Sequence, residues 1–143
     1  MIVYLDTSAL VKRYVAETDS QEVAALIARA EQIGTSLISR VEAAAALAKA
    51  VRTGALRRDE ANTALTAFHS QWATLVRLYV TEALIAKADD MAWEHGLRGY
   101  DAIHLATAML WQEYIDESIL LATFDRQLQQ AGQAVGLTVW PSV

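Results

Sequence analysis

Five short apolar runs recur along the chain, separated by longer helix-like stretches, and none of them alternates with polar residues. They cover Ile2–Leu5, 33–38 (its core 35–38 after Gly34), 75–80, 118–122 and 136–140. A strand with one face in water alternates, whereas a strand covered on both faces does not. Runs of this kind, alternating with helices, specify a parallel sheet sandwiched between helices. The expectation is a single α/β domain over residues 1–143, with a parallel sheet of about five strands and helices on both faces.

The intervening segments carry their own punctuation. A helix is expected over 8–15 with Thr7 or Ser8 as its N-cap, and another over 22–29 behind Thr18-Asp19-Ser20. Ser39 stands ready to cap an alanine-rich helix to Arg52, and Thr53-Gly54 breaks it. A further helix spans 57–72, with Asp59 and Glu60 near its N-terminus as the helix dipole prefers. These two helices, joined by a short turn, read as a helical hairpin projecting from the sandwich. Thr81 caps a helix to His95 that Gly96 ends, and another runs from about Tyr100 or Asp101 to Glu113. A short helix over 124–131 is stopped by Gly132, and Pro141 ends the last strand. The four tryptophans, at 72, 93, 111 and 140, sit mostly at helical core spacing.

Composition narrows the function classes. The absence of cysteine excludes disulfides and thiolate metal sites. Asp6 interrupts the first apolar run too early for a signal peptide, and no stretch has the roughly 18 uncharged apolar residues of a membrane span. A soluble, cytoplasmic protein is expected. A net charge of −5 argues against non-specific nucleic-acid binding through a basic surface. It is compatible with a nuclease whose acids gather around cations, each divalent ion offsetting two charges. A hydrophobic content of 54% suggests a further buried surface, such as a homodimer.

Four acids stand out by position. In open parallel α/β sheets, ligands bind beyond the carboxyl ends of the strands. Asp6 ends the first strand, Glu42 lies in the first turn after the second, and Asp125 lies just past the fourth. Asp101 opens a helix in the crossover between strands three and four, and reaches the same end if the helix before it brings the chain back. Two carboxylates about 5 Å apart repel by roughly 3 kcal/mol at an effective dielectric of 20. A converging set therefore holds protons or a cation. With oxygen ligands only, that cation is a hard one, Mg²⁺ or Mn²⁺, which lowers the pKa of a water and stabilises charge building on phosphorus. Each acid has a plainer alternative: Asp6, Asp101 and Asp125 as helix caps, Glu42 as a dipole partner.

The quoted residues also resemble a known family. "YLDTSALVKRYVAE", "TSLISRVEAAAAL", "LRGYDAIHLATAML", "LLATFDRQL" and "AGQAVGLTVWP" follow in the order and spacing of the PIN-domain family, and within it of the VapC-like toxins of toxin–antitoxin pairs. The resemblance covers nearly the whole chain. It implies a sheet ordered 3-2-1-4-5 and a metal-dependent ribonuclease acting on single-stranded RNA. It also implies a homodimer and a cognate antitoxin that blocks the site with a basic side chain. It carries an acidic quartet onto Asp6, Glu42, Asp101 and Asp125, with Thr123 as the accompanying hydroxyl. The expected ligands of one or two ions are Asp6, Asp101 and Asp125, with Glu42 directly or through water.

Other residues are candidates in support. Thr7 and Ser8 could touch a phosphate or an ion's water, or simply cap a helix. His104, one turn after Asp101, reads as a partner of an acid or as a satisfied, half-buried structural residue rather than as a general acid. Lys12, Arg13, Arg98 and Arg126 are near the acids in sequence and could hold RNA phosphates and offset the negative field; solvated surface charge is the alternative. Two rival functions are kept: a non-catalytic regulatory or RNA-binding module on the same fold, and a phosphatase with Asp6 as nucleophile. The latter usually needs a second acid two residues later, where this chain has Ser8.

Overall fold

Five strands, β1 (Ile2–Leu5), β2 (Gln32–Ser36), β3 (Val76–Leu78), β4 (Ile119–Ala122) and β5 (Thr138–Trp140), form one parallel sheet in the order β3-β2-β1-β4-β5. The computed structural model describes residues 1–142; Val143, the last residue of the expected domain, lies outside the described residues. The helices are α1 (Thr7–Val11), α2 (Ser20–Arg29), α3 (Ile38–Arg52), α4 (Arg58–Gln71), α5 (Glu82–His95), α6 (Gly99–Ile115) and α7 (Arg126–Ala134), with a 3₁₀ turn at Trp72–Thr74.

The central strand explains why its sequence does not alternate. Ile2 and Tyr4 face a core completed by α5, α6 and α7, including Leu84, Leu105, Trp111 and Leu128. Val3 and Leu5 face the opposite core, with Leu10, Leu26, Ala43 and Phe68 from α1 to α4. Successive strand residues point to opposite faces, so a strand between two helical layers buries both parities. Fully burying such side chains stabilises by about 1.5–3 kcal/mol each. The paired helices α3 and α4 rest on this second core through Ala43 and Phe68, with Trp72 of the 3₁₀ turn beside them, and farther out share a small core of Leu47, Ala61 and Ala64. No helix among the described residues is long and apolar enough to cross a membrane.

Several boundaries differ from the sequence expectation, each for a local reason. The first helix ends at Val11 instead of 15, because the following turn is fastened from outside: Ser20 Oγ donates to the Val15 carbonyl at 2.7 Å, and Lys12 Nζ to that of Thr18 at 2.8 Å. Its cap is Asp6, not Thr7 or Ser8. Ser39 does not cap α3. The helix begins at Ile38, and the buried Ser39 hydroxyl pairs with that of Thr35 at 2.6 Å. Gly132 does not stop α7, which runs on to Ala134; Gly136, at φ 86°, lies just beyond the helix end. Gly132 instead allows close contact with the sheet, since a Cβ there would lie 2.9 Å from Leu121 Cδ2 and 3.0 Å from Val139 Cγ2. The second strand ends at Ser36 instead of 38, and Gly34 within it lies under the Trp111 indole, which a Cβ would meet at 2.6 Å. Trp93 is 90% exposed, against expectation, because α5 buries Leu84, Ala88 and Met91 and leaves position 93 outside.

Candidate active site

The site begins with strand register. β1 and β4 pair so that Leu5 stands opposite Ala122, and Asp6 and Thr123 therefore leave the sheet side by side. This is the switch point of the sheet, where neighbouring strands run on to helices on different faces. The Asp6 amide donates to the Ala122 carbonyl at 3.2 Å, and the Thr123 hydroxyl donates to Asp6 Oδ2 at 2.5 Å. The same hydroxyl accepts the Asp125 amide at 3.1 Å. Ser8 Oγ donates to Asp6 Oδ1 at 2.7 Å and accepts the Phe124 amide at 3.0 Å. One threonine and one serine thus stitch the two strand ends together.

Asp6 and Asp125 are also helix caps. Asp6 Oδ1 accepts from the Ala9 amide at 3.0 Å, and Asp125 Oδ1 from the Leu128 amide at 2.8 Å. The cap and a site role are not exclusive, because one carboxylate has room for several donors. Asp101 is no cap: Arg98 occupies that position on α6, which starts at Gly99 and leaves Asp101 in its first turn. The chain does return after α5, turning through Gly96 in the left-handed region.

Glu42 comes from α3 and is held from two sides. Thr7 Oγ1 donates to its Oε1 at 2.6 Å, and His104 Nε2 lies 2.7 Å from the same oxygen. The other ring nitrogen of His104, Nδ1, is 2.7 Å from the Tyr4 hydroxyl. His104 is 2% exposed, more deeply buried than the half-buried residue expected, and both of its ring nitrogens have partners. Thr7 and Ser8 both spend their hydroxyls on acids.

Arg98 connects the outer acids. Its Nε donates to Asp101 Oδ2 at 3.1 Å and a terminal nitrogen to Asp125 Oδ2 at 3.2 Å, while its side chain stays 77% exposed. Of the two roles weighed for it, this placement fills the offsetting of negative charge. The other basic candidates differ. Lys12 is tied to Glu17 at 3.2 Å and lies over the Phe124 ring, which makes it a structural cation. Arg13 lies over the Tyr14 ring, and Arg126 is exposed at the start of α7. A cleft of about 730 Å³ runs from Thr7, Ser8, Glu42 and Arg98 along α3 toward Lys49 and Leu56.

The four acids thus stand at one end of the sheet in two groups. Asp6 and Glu42 are inner, held by hydroxyls, an amide and an imidazole. Asp101 and Asp125 are outer, held by a guanidinium. Like charges repel, and each acid is matched with donors, Asp101 and Asp125 sharing Arg98. Among the described residues, no three His, Asp or Glu side chains converge closely enough to hold one metal ion as they stand. The ionisation of the groups differs accordingly. Burial raises the Asp6 pKa above its ordinary value, and nearby His104 with the donors Thr123, Ser8 and Ala9 offsets this only in part. Burial also pushes Glu42 up, but the hydrogen bonds from His104 and Thr7 outweigh it and leave Glu42 below its ordinary value. Burial and the neighbouring Asp125 raise Asp101 against the pull of Arg98.

Two contributors escape a sequence reading. Tyr4 looks like one more apolar strand residue; its only signal is a hydroxyl that must find a partner once buried. Gln129 on α7 is 7% exposed and donates to the Thr123 carbonyl at 2.8 Å, holding the residue that holds Asp6. Nothing in its local sequence marks it.

Comparison with known proteins places this geometry among relatives. Residues 3–133 match the model of the PIN domain family. The chain is 33% identical over 141 residues to Ribonuclease VapC45 of Mycobacterium tuberculosis (strain CDC 1551 / Oshkosh), covering 99% of this chain and 96% of that protein. Its fold is similar to a toxin–antitoxin complex chain from Klebsiella pneumoniae, with a TM-score of 0.67, 19% identity and 98% of each chain covered. It is likewise similar to M. tuberculosis VapC20, described as a sarcin-ricin loop cleaving toxin, with a TM-score of 0.67, 17% identity and 96% and 97% of the chains covered.

Proposed function

The chain belongs to the PIN domain family, and from that premise we propose that it is an endoribonuclease cleaving single-stranded RNA, the toxin of a toxin–antitoxin pair. The observation that carries the reading is the pairing across the switch point, where Thr123 touches Asp6 and Asp125 at once and Arg98 ties Asp125 to Asp101. The full-length 33% identity to a protein named as a ribonuclease supports it.

The catalytic set is Asp6, Glu42, Asp101 and Asp125. Its donors are carboxylate oxygens, hard ligands with no sulfur among them, and two of the acids already share one cation, the Arg98 guanidinium. That chemistry fits Mg²⁺ or Mn²⁺. Asp101 and Asp125 would hold the ion with Asp6, and Glu42 directly or through water. When bound, the ion supplies an acidified water and offsets charge on the phosphoryl oxygens. Glu42, with Oε1 committed to Thr7 and His104, offers Oε2 to orient the attacking water and draw off its proton. Asp6 contributes charge at a position its donors hold rigid. Its carboxylate is 3% exposed and accepts from three donors, which argues against the in-line nucleophile of a phosphatase. Arg98, when it leaves the acids, can reach a backbone phosphate, with the exposed Arg126 next to Asp125 as a second cation.

The partners follow from the same reading: a cognate antitoxin that sets a basic group among the acids in the manner of Arg98, and a second copy of the chain. The exposed Tyr79 and Tyr114, which line one groove beside β3, offer apolar surface for a homodimer. The reading places the enzyme in the cytoplasm with its RNA. The test is cleavage of single-stranded RNA by purified protein with Mn²⁺, compared with Asp6→Asn. Cleavage is expected to fall at least about 100-fold, equivalent to roughly 3 kcal/mol of activation free energy, with circular dichroism unchanged. Full cleavage by Asp6→Asn would assign the activity elsewhere.

A further inference from the structure

The proposed hydrolysis makes no use of a buried phenol two residues before Asp6, yet that phenol is hydrogen-bonded toward the acids. Tyr4 is 0% exposed on β1 and shares its face with α6. Its hydroxyl meets His104 Nδ1 at 2.7 Å, the two rings edge to face with centroids 5.9 Å apart, and Trp111 closes the other side. His104 Nε2 meets Glu42 Oε1 at 2.7 Å. Three side chains from β1, α6 and α3 thus form one line from the core to the crevice.

The chemistry gives the line a direction. A carboxylate oxygen only accepts, so the proton at the Glu42 end sits on Nε2. A neutral imidazole with its proton on Nε2 has a bare Nδ1, which accepts the phenol's proton. Thr7 also donates to Oε1, at 2.6 Å, so this oxygen is taken twice. Among the described residues, no hydrogen bond goes to Oε2.

We propose that Tyr4 is a positioning residue: through His104 it fixes the Nε2–H tautomer, which pins Glu42 Oε1 and turns Oε2 toward the reacting water. The proposal rests on the ribonuclease reading for its catalytic consequence. Without the hydroxyl, the imidazole can place its proton on Nδ1. That presents a lone pair to the carboxylate and releases Glu42. Groups that orient a site ligand in this indirect way typically matter by about 10- to 100-fold.

The experiment is Tyr4→Phe, which removes one oxygen and keeps the ring in the core. With the full chain and Mn²⁺, kcat on single-stranded RNA is expected to fall about tenfold or more with KM unchanged. Tyr4→Phe/His104→Ala should lose no more than His104→Ala alone, because the two act in series. Nitrogen-15 NMR of histidine-labelled protein, assigned against His104→Ala, should show Nε2 protonated and Nδ1 bare in the wild type. In Tyr4→Phe the Nδ1 signal should move. An unmoved signal, an unchanged kcat, or protons on both nitrogens of wild-type His104 would each overturn the proposal. The outcomes are separable: a wild type that cleaves no RNA removes the functional reading, while the nitrogen spectra still decide whether Tyr4 sets the tautomer.

Discussion

The inner and outer acids of the crevice are built in different ways. Asp6 and Glu42 are secured by the core: Thr123, Ser8, the Ala9 amide, Thr7 and His104 surround them, and Tyr4 and Gln129 support those in turn. Asp101 and Asp125 meet across a single exposed guanidinium. In the inner half, hydrogen bonds in a poorly solvated place do the holding, and each donor lost leaves a buried group unpaired. In the outer half the acids are themselves half-buried, but the guanidinium that joins them is 77% exposed, so solvent screens its side of the contact and Arg98 can let go at little cost. Rigidity inside and exchangeability outside suit the proposed ribonuclease site, which would hold its geometry while admitting cation and RNA.

The largest expected effect separates the halves by activity without stability. Asp101→Asn should lower Mn²⁺-dependent cleavage at least about 100-fold while shifting unfolding by less than about 0.5 kcal/mol. A large loss of stability would make the outer acid as structural as the inner ones.

Thr123→Val tests the inner half. It deprives Asp6 Oδ2 of its donor and the Asp125 amide of its acceptor. Denaturant unfolding should show a loss of about 1–3 kcal/mol, together with reduced cleavage. An unchanged midpoint would show that the inner half does not depend on this stitch.

The pH dependence sharpens the contrast within the inner half, measured in chelator. Asp6 is raised from 3.8 by burial, so its contribution favours the fold below that value and is lost as pH rises through its folded pKa. Glu42 is lowered from 4.5 despite burial, because His104 and Thr7 prevail; its contribution is present above that value and is lost as pH falls through its folded pKa. The wild type should therefore lose thermal stability relative to Asp6→Asn as pH rises from about 4 toward 7, and Mn²⁺ should restore it. Relative to Glu42→Gln, it should lose stability on acidification instead. Parallel curves for all three proteins would remove the distinction.

The smallest effect belongs to Arg98→Ala. Its melting temperature should match the wild type, while calorimetry shows somewhat tighter Mn²⁺ uptake and the KM for RNA rises. Weaker Mn²⁺ binding in the variant would mean that Arg98 organises the outer acids rather than competing for them.

The apolar runs and their order determined much by themselves. A chain whose strands lack alternation must cover both faces of a sheet, and an acid at the end of such a run must stand at the sheet's carboxyl edge. That is a consequence of strand periodicity and backbone pairing, and it made Asp6, Glu42 and Asp125 legible. The spacing of Asp101 and His104 on one helix face was equally local. The motifs quoted from the chain carried the family.

The tertiary structure decided what depends on partners distant in sequence. Gly132 reads as a helix stop until Leu121 and Val139 are seen against it. Ser39 reads as a cap until Thr35 takes its hydroxyl. Tyr4 reads as core until His104, a hundred residues on, supplies a nitrogen. Arg98 reads equally as a phosphate contact, a counter-charge or a surface cation until α5 has brought it back over two acids. A hydroxyl, an imidazole or a guanidinium can bond to any of several groups, and its local sequence is the same whichever it takes. The choice falls only when burial leaves one partner within reach.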